Sequence, residues 1–195
     1  MRTTQFMVIN PGKVFREFLG GKRKRYYKPV AFFILLTALY IILRSLLGYN
    51  PIDASMRNMD DNEGVNVTLL WKAGSFMFRH INNFLFLLVF GIAFSFKLFF
   101  WKTYRLAEYF AIGFYIGGIY ILFGTLSMLW NHFTGFSFQS LHLWFLIIYI
   151  ALCSISLFNR RSLGVIFKSI LVAVFSFVLY MSLAFGISFV IILFD

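Results

Sequence analysis

"FKLFFWKTYRLAEYF", residues 96–110, decides how this chain is built. It lies within a largely apolar stretch from 84 to 130, yet it contains Lys97, Lys102, Arg105 and Glu108. One uninterrupted membrane helix would hold these charges near its middle, at about 2.5–3.5 kcal/mol each on insertion. A tight turn at a membrane surface removes that cost. The stretch therefore divides into two helices that cross in opposite directions, and the segments on either side take their orientation from this division.

Working outward, apolar runs occupy 30–47, 84–101, 107–130, 141–158 and 165–194, each near or above the ~18–20 residues of a spanning helix. Composition agrees: 61% of residues are apolar and mean hydropathy is +0.82, against ~45–50% apolar content in soluble domains. The expected fold class is all-α, a polytopic membrane helical bundle of about five transmembrane helices. Residues 30–195 form that domain, and residues 1–29 precede it as a cytoplasmic basic amphipathic segment. The last run is longer than a bilayer needs. Lys168 is expected at the interface, with "RRSLGVIF" along the surface and the remainder tilted or bent.

The net charge of +11 is distributed by position. Arg2, Lys13, Arg16, Lys22, Arg23, Lys24, Arg25 and Lys28 lie before the first run; Lys97, Lys102 and Arg105 lie in the second connection, and Arg160, Arg161 and Lys168 around the fourth. The third connection, "NHFTGFSFQS", has no Lys or Arg, and the first, about 49–81, nearly balances Arg57, Lys72 and Arg79 against Asp53, Asp60, Asp61 and Glu63. Lys and Arg near span ends select the cytoplasmic side, so the N-terminus is expected inside and the C-terminus outside. A basic balance also raises nucleic acid as a partner, but that requires a solvated basic face on a folded soluble module, and none is expected here.

The N-terminal segment begins with "NPGKVFREFL", a short helix capped by Asn10 with Pro11 at its first position. Val14, Phe15, Phe18 and Leu19 make an apolar stripe opposite Lys13, Arg16 and Glu17, so the helix is expected to lie in the headgroup region. Gly20 and Gly21 end it, and Tyr26 and Tyr27 mark the interface. Lys22, Arg23, Lys24, Arg25 and Lys28 are the expected lipid-headgroup ligands, because cations beside an anionic leaflet contribute about 1 kcal/mol each.

Those residues resemble a family. "PGKVFREFLGGKRKRYYKP" ahead of an apolar span is similar to the uncharacterised bacterial membrane proteins catalogued as domain of unknown function 3667, which share a proline–glycine pair and a "G-x-R-x-x-Y-x-x-P" entry into the first span. Pro11, Gly12, Gly21, Arg23, Tyr26 and Pro29 match in place. A later family element, asparagine-x-x-glutamate-histidine at a helix start, matches at Glu108, whereas Arg105 and Tyr109 replace its asparagine and histidine. Many relatives begin with a zinc ribbon, and the resemblance is expected here without one. It implies a bacterial cytoplasmic membrane and no particular activity.

Chemistry-bearing residues are few, with no paired carboxylates in the spans and no nucleophilic triad. Glu108, Arg105 and Lys97 form the candidate polar site; a structural ion pair of Glu108 with Arg105 would close the turn, and the alternative is a functional carboxylate. Arg44 snorkels to headgroups or faces Asp53 or a bound anion. His80, His132 and His142 share the outer side in this topology, but they lack metal-site spacing, and neither a metal nor another cofactor is expected. Cys153 is the single cysteine, so no disulfide framework arises. The pairs Gly91/Ser95, Gly113/Gly117 and Ser182/Gly186 permit close helix contact within the chain, with another copy or with a partner membrane protein. "NVT" at Asn66 matches a glycosylation acceptor by pattern alone. The expected function is a non-enzymatic membrane structural or interaction component. A small-solute or ion transporter is the first alternative, and a metal-binding protein or membrane enzyme the second.

Overall fold

A computed structural model describes residues 2–48, 65–134, 141–158 and 162–194. Among these residues every regular element is helical: α1 Arg2–Ile9, α2 Pro11–Leu19, α3 Pro29–Leu46, α4 Val65–Arg79, α5 Ile81–Phe99, α6 Leu106–Thr134, α7 Leu141–Phe158 and α8 Leu163–Phe194, with a 3-10 turn at Arg23–Arg25. Five of them fall on the five apolar runs. Three stretches, Arg23–Leu46, Leu106–Thr134 and Leu163–Phe194, are long and apolar enough to cross a membrane, and Phe84–Phe99 and Trp144–Phe158 are shorter apolar helices.

The fold is an all-α bundle centred on α6, which packs against α3, α5 and α7, while α8 closes the other side against α4, α5 and α7. Hydrophobic burial gives little drive between helices in lipid, where chain packing and close approach decide association. Burial follows that rule. The most apolar stretch of α6 is 61% buried, compared with 17% in α8, whose outer side exposes Val174, Val178, Leu183 and Ile187.

Glycines set the closest approaches. A Cβ on Gly91 would lie 2.8 Å from the Ser176 carbonyl oxygen of α8, and one on Gly113 would lie 3.0 Å from that of Val89. Gly117 and Gly118 leave room for Phe33 and Phe32 of α3. The expected pair Ser182/Gly186 has no such role within the bundle, because both residues are exposed and nothing lies within 4 Å of a Cβ at Gly186. The buried face of α8 instead runs through Ser169, Val172, Ala173, Ser176, Tyr180, Ala184 and Ser188. Its serines bond carbonyls four residues back, which satisfies their hydroxyls inside the helix.

Phenylalanine accounts for 28 residues, and many of them form an edge-to-face seam. Phe90 and Phe94 of α5 meet Phe110 of α6 at 5.0 and 6.0 Å, and Phe86 meets Phe114 at 5.5 Å. Phe33 of α3 joins at 5.6 Å from Phe114. Such pairs add stabilisation beyond area burial.

The first connection contains a helix: α4 occupies its second part and packs along α8, burying Ala73 and Met77 four residues apart. The reason is length: α8 has 32 residues, about 48 Å at 1.5 Å per residue, so it outruns α5 and needs further cover. Asn66 lies in α4, and residues 49–64, including Asp53, Arg57, Asp60, Asp61 and Glu63, fall outside the described residues. The part of "RRSLGVIF" from Leu163 onward is continuous with the rest of α8 in one helix; Arg160 and Arg161 lie outside the described residues.

Candidate functional site

The N-terminal helices, the α5–α6 turn, the end of α7 and the start of α8 meet at one end of the bundle. Asn10 caps α2 as expected, its side chain accepting from the Lys13 N–H at 3.2 Å, and Pro11 is in the first turn. The apolar stripe of α2 faces protein and not lipid. Val14 is fully buried and Phe15 is 1% exposed, and α2 packs on α7.

Gly12 makes this docking possible. Its N–H donates to Ser156 Oγ at 3.2 Å, and an added Cβ would overlap the Ser156 carbonyl group. The Ser156 hydroxyl in turn donates to Asn10 Oδ1 at 2.9 Å. Arg16 places its guanidinium on the carbonyls of Ser156 and Leu157, so a cation satisfies exposed acceptors at the negative end of α7.

Gly20 then caps α2, and Gly21 takes φ +96°, a left-handed backbone that disfavours side chains with a Cβ. The chain enters the basic turn, where Tyr26 donates to Glu17 Oε2 at 2.7 Å and Arg25 pairs with the same oxygen at 3.3 Å. The Tyr26 hydrogen bond, aided by Arg25, Lys22 and Lys13, holds the Glu17 carboxyl below its ordinary 4.5. Arg23 lies 5.9 Å from the Phe18 ring centroid. The Tyr27 N–H donates to Thr3 Oγ1 at 3.0 Å, and the Tyr27 carbonyl accepts from Tyr115 of α6 at 2.6 Å. Pro29 starts α3. The turn is thus pinned from α1, α2 and α6, while Lys22, Arg23, Lys24, Arg25 and Lys28 are all exposed.

The α5–α6 turn is closed by backbone capping rather than by the expected Glu108–Arg105 ion pair. Glu108 Oε2 accepts the Arg105 backbone N–H at 2.6 Å, which is the return half of a capping box at the start of α6. Lys97 Nζ donates to the carbonyls of Trp101 at 2.8 Å and Tyr104 at 3.2 Å, and the Tyr109 hydroxyl donates to the Phe100 carbonyl at 2.5 Å. Backbone groups near lipid must be satisfied within the protein, so these side chains are used on main-chain atoms. Burial raises the Tyr104 phenol above its ordinary 10, opposed by Arg16.

This capping role predicts a discriminating result. Glu108→Gln keeps an acceptor for the Arg105 N–H and should leave thermal stability nearly unchanged, whereas Glu108→Ala should cost about 1 kcal/mol. Equal losses in thermal unfolding of the two variants would show that the negative charge matters and would restore the ion-pair reading.

Two of the three histidines have described side chains. His80 Nδ1 lies 3.0 Å from the Phe76 carbonyl and its ring packs on Phe76, while His132 packs edge-on to Phe133. The side chain of His142 lies outside the described residues. Arg44 is half-buried in the last turn of α3.

Sequence reasoning missed α1, Glu17 as an acceptor, Ser156, and the tyrosines that tie the segment down. Tyr149 of α7 donates to the Met7 carbonyl at 3.0 Å, as Tyr115 does to Tyr27. A signal existed: a tyrosine within an apolar run needs a partner for its hydroxyl. No curated protein and no solved structure matches the chain. Residues 1–41 match the family model described as a protein of unknown function (DUF3667), the family that the N-terminal motif resembles.

Proposed function

We propose that this chain is a non-enzymatic integral membrane component that crosses five times, with its N-terminus in the cytoplasm and its C-terminus outside, and that its docked basic segment holds anionic headgroups. Lys22, Arg23, Lys24, Arg25 and Lys28 are the ligands. One observation carries this reading: five exposed cations stand on a turn whose backbone is pinned by Thr3, the Glu17 carbonyl and Tyr115. A pinned turn has already lost its chain entropy before the lipid arrives. Lys97, Lys102, Arg105 and Lys168 belong to elements at the same end, which supports that end as cytoplasmic. A bacterial cytoplasmic membrane agrees with the family resemblance, and the lipid-facing sides of α3 and α8 leave area for self-association or a partner membrane protein.

In the full chain reconstituted in vesicles, changing Lys22, Arg23, Lys24 and Lys28 to Gln should lower selectivity for phosphatidylglycerol over phosphatidylcholine by more than about tenfold, at about 1 kcal/mol per cation. Arg25 is retained because it pairs with Glu17. Spin-labelled lipids report this selectivity, and no change would remove the headgroup role. Reporters before Arg2 and after Asp195 should lie on opposite sides of the membrane; a shared side would end the five-span topology.

A further inference from the structure

Where the α5–α6 turn meets the end of α7 and the start of α8, the bundle leaves a cavity of about 600 Å³. Its walls have two chemistries. Phe100, Tyr104, Leu157, Phe158 and Val165 give apolar surface, with Phe100 and Phe158 stacked at 4.5 Å. Thr103, Ser162 and Lys168 give hydroxyls and an ammonium group. Lys168 is exposed, its Nζ 6.0 Å from the Phe100 ring centroid, and it has no ion-pair partner among the described residues.

We infer that this cavity binds one anionic phospholipid, with its phosphate on Lys168, Thr103 and Ser162 and its proximal acyl chain on Phe100, Phe158 and Val165. A soluble anion would leave the aromatic wall uncovered, and a neutral chain would leave the ammonium unpaired; an anionic amphiphile satisfies both. The volume lies within the ~300–1,000 Å³ of ligand sites. It accommodates a headgroup and the start of a chain, and the chain continues over Phe175, exposed on α8 and seven residues from Lys168 on the same face. This site rests on the orientation proposed above, because it requires the basic end to face headgroups, but it is separate from the residues 22–28 turn.

The test is native mass spectrometry of the full chain after detergent exchange, with phosphatidylglycerol, phosphatidylcholine or inorganic phosphate added in separate arms. In the variant with Lys22, Arg23, Lys24 and Lys28 changed to Gln, one phosphatidylglycerol per chain should be retained, and adding Lys168→Gln should lower that retention about fivefold, the value of one cation near a headgroup. Gly164→Leu should lower it further: Gly164 lines the cavity, and a Cβ there meets only Ser162 Oγ, at 3.8 Å. That variant therefore fills the cavity without a backbone clash, and a thermal melt verifies its fold. The glutamine variant of Lys22, Arg23, Lys24 and Lys28 should retain the lipid, which separates this site from the headgroup turn. Equal retention of the two lipids, or insensitivity to both Lys168→Gln and Gly164→Leu, would overturn the assignment. So would Lys168-dependent binding of inorganic phosphate that displaces the lipid, since the ligand would then be the free anion.

Discussion

Replacing Gly12 with valine should detach the N-terminal segment from the bundle and lower the stability of the chain by about 3 kcal/mol. The added Cβ would overlap the carbonyl carbon and oxygen of Ser156, and a helix backbone has no rotamer by which to yield. Helix α2 must then lift from α7. Val14 and Phe15, at 0% and 1% exposure, lose their cover, and the Arg16 cap on the Ser156 and Leu157 carbonyls is lost with them. Burial of one such side chain is worth about 1.5–3 kcal/mol, and lipid contact offsets part of the loss. A lower Tm together with faster tryptic cleavage at Lys13 and Arg16 would report the detachment. Ser156→Gly should not rescue the variant, because the obstacle is main chain. An unaltered Tm and cleavage pattern in Gly12→Val would refute the docking.

Tyr115→Ala should have a similar or larger effect, about 3–5 kcal/mol for loss of a large buried aromatic side chain. Its ring meets Phe15 at 6.2 Å, Phe18 at 5.7 Å and Phe32 at 5.7 Å, and so joins α2, α3 and α6 at one point. Its hydroxyl holds the Tyr27 carbonyl. Tyr115→Phe keeps the ring and removes one hydrogen bond, so it should cost about 1 kcal/mol. Equilibrium unfolding in detergent separates the two contributions. If phenylalanine were as damaging as alanine, the ring contacts would be irrelevant and the hydrogen bond would dominate.

Both substitutions act on residues whose importance the sequence conveys unevenly. Gly12 belongs to the family-like proline–glycine pair, yet nothing near it in the chain indicates that Ser156 is its neighbour. The stripe Val14, Phe15, Phe18 and Leu19 identifies an amphipathic helix correctly, but amphipathicity does not distinguish an apolar face placed in lipid from one placed on protein. Helix α4 was similarly open to view, since Leu69, Ala73 and Met77 repeat at helical spacing. At Glu108 the sequence showed a nearby arginine, and the structure instead uses the Arg105 backbone N–H. Charge proximity in sequence does not reveal which atoms a short turn leaves unsatisfied.

The sequence by itself determined the all-α class, the positions of the five apolar helices and the break at 100–105. These depend on the transfer free energy of each residue and on local helix geometry, which are properties of short stretches. Tertiary structure alone decided that α2 docks on α7, that α4 extends the cover of α8, that Ser182 and Gly186 face outward, and that Lys168 borders a cavity. Those outcomes depend on shape complementarity between surfaces far apart in the chain, 144 residues for the Gly12–Ser156 hydrogen bond. Residue chemistry specifies that each surface needs a partner, but only the packed geometry specifies which partner fits.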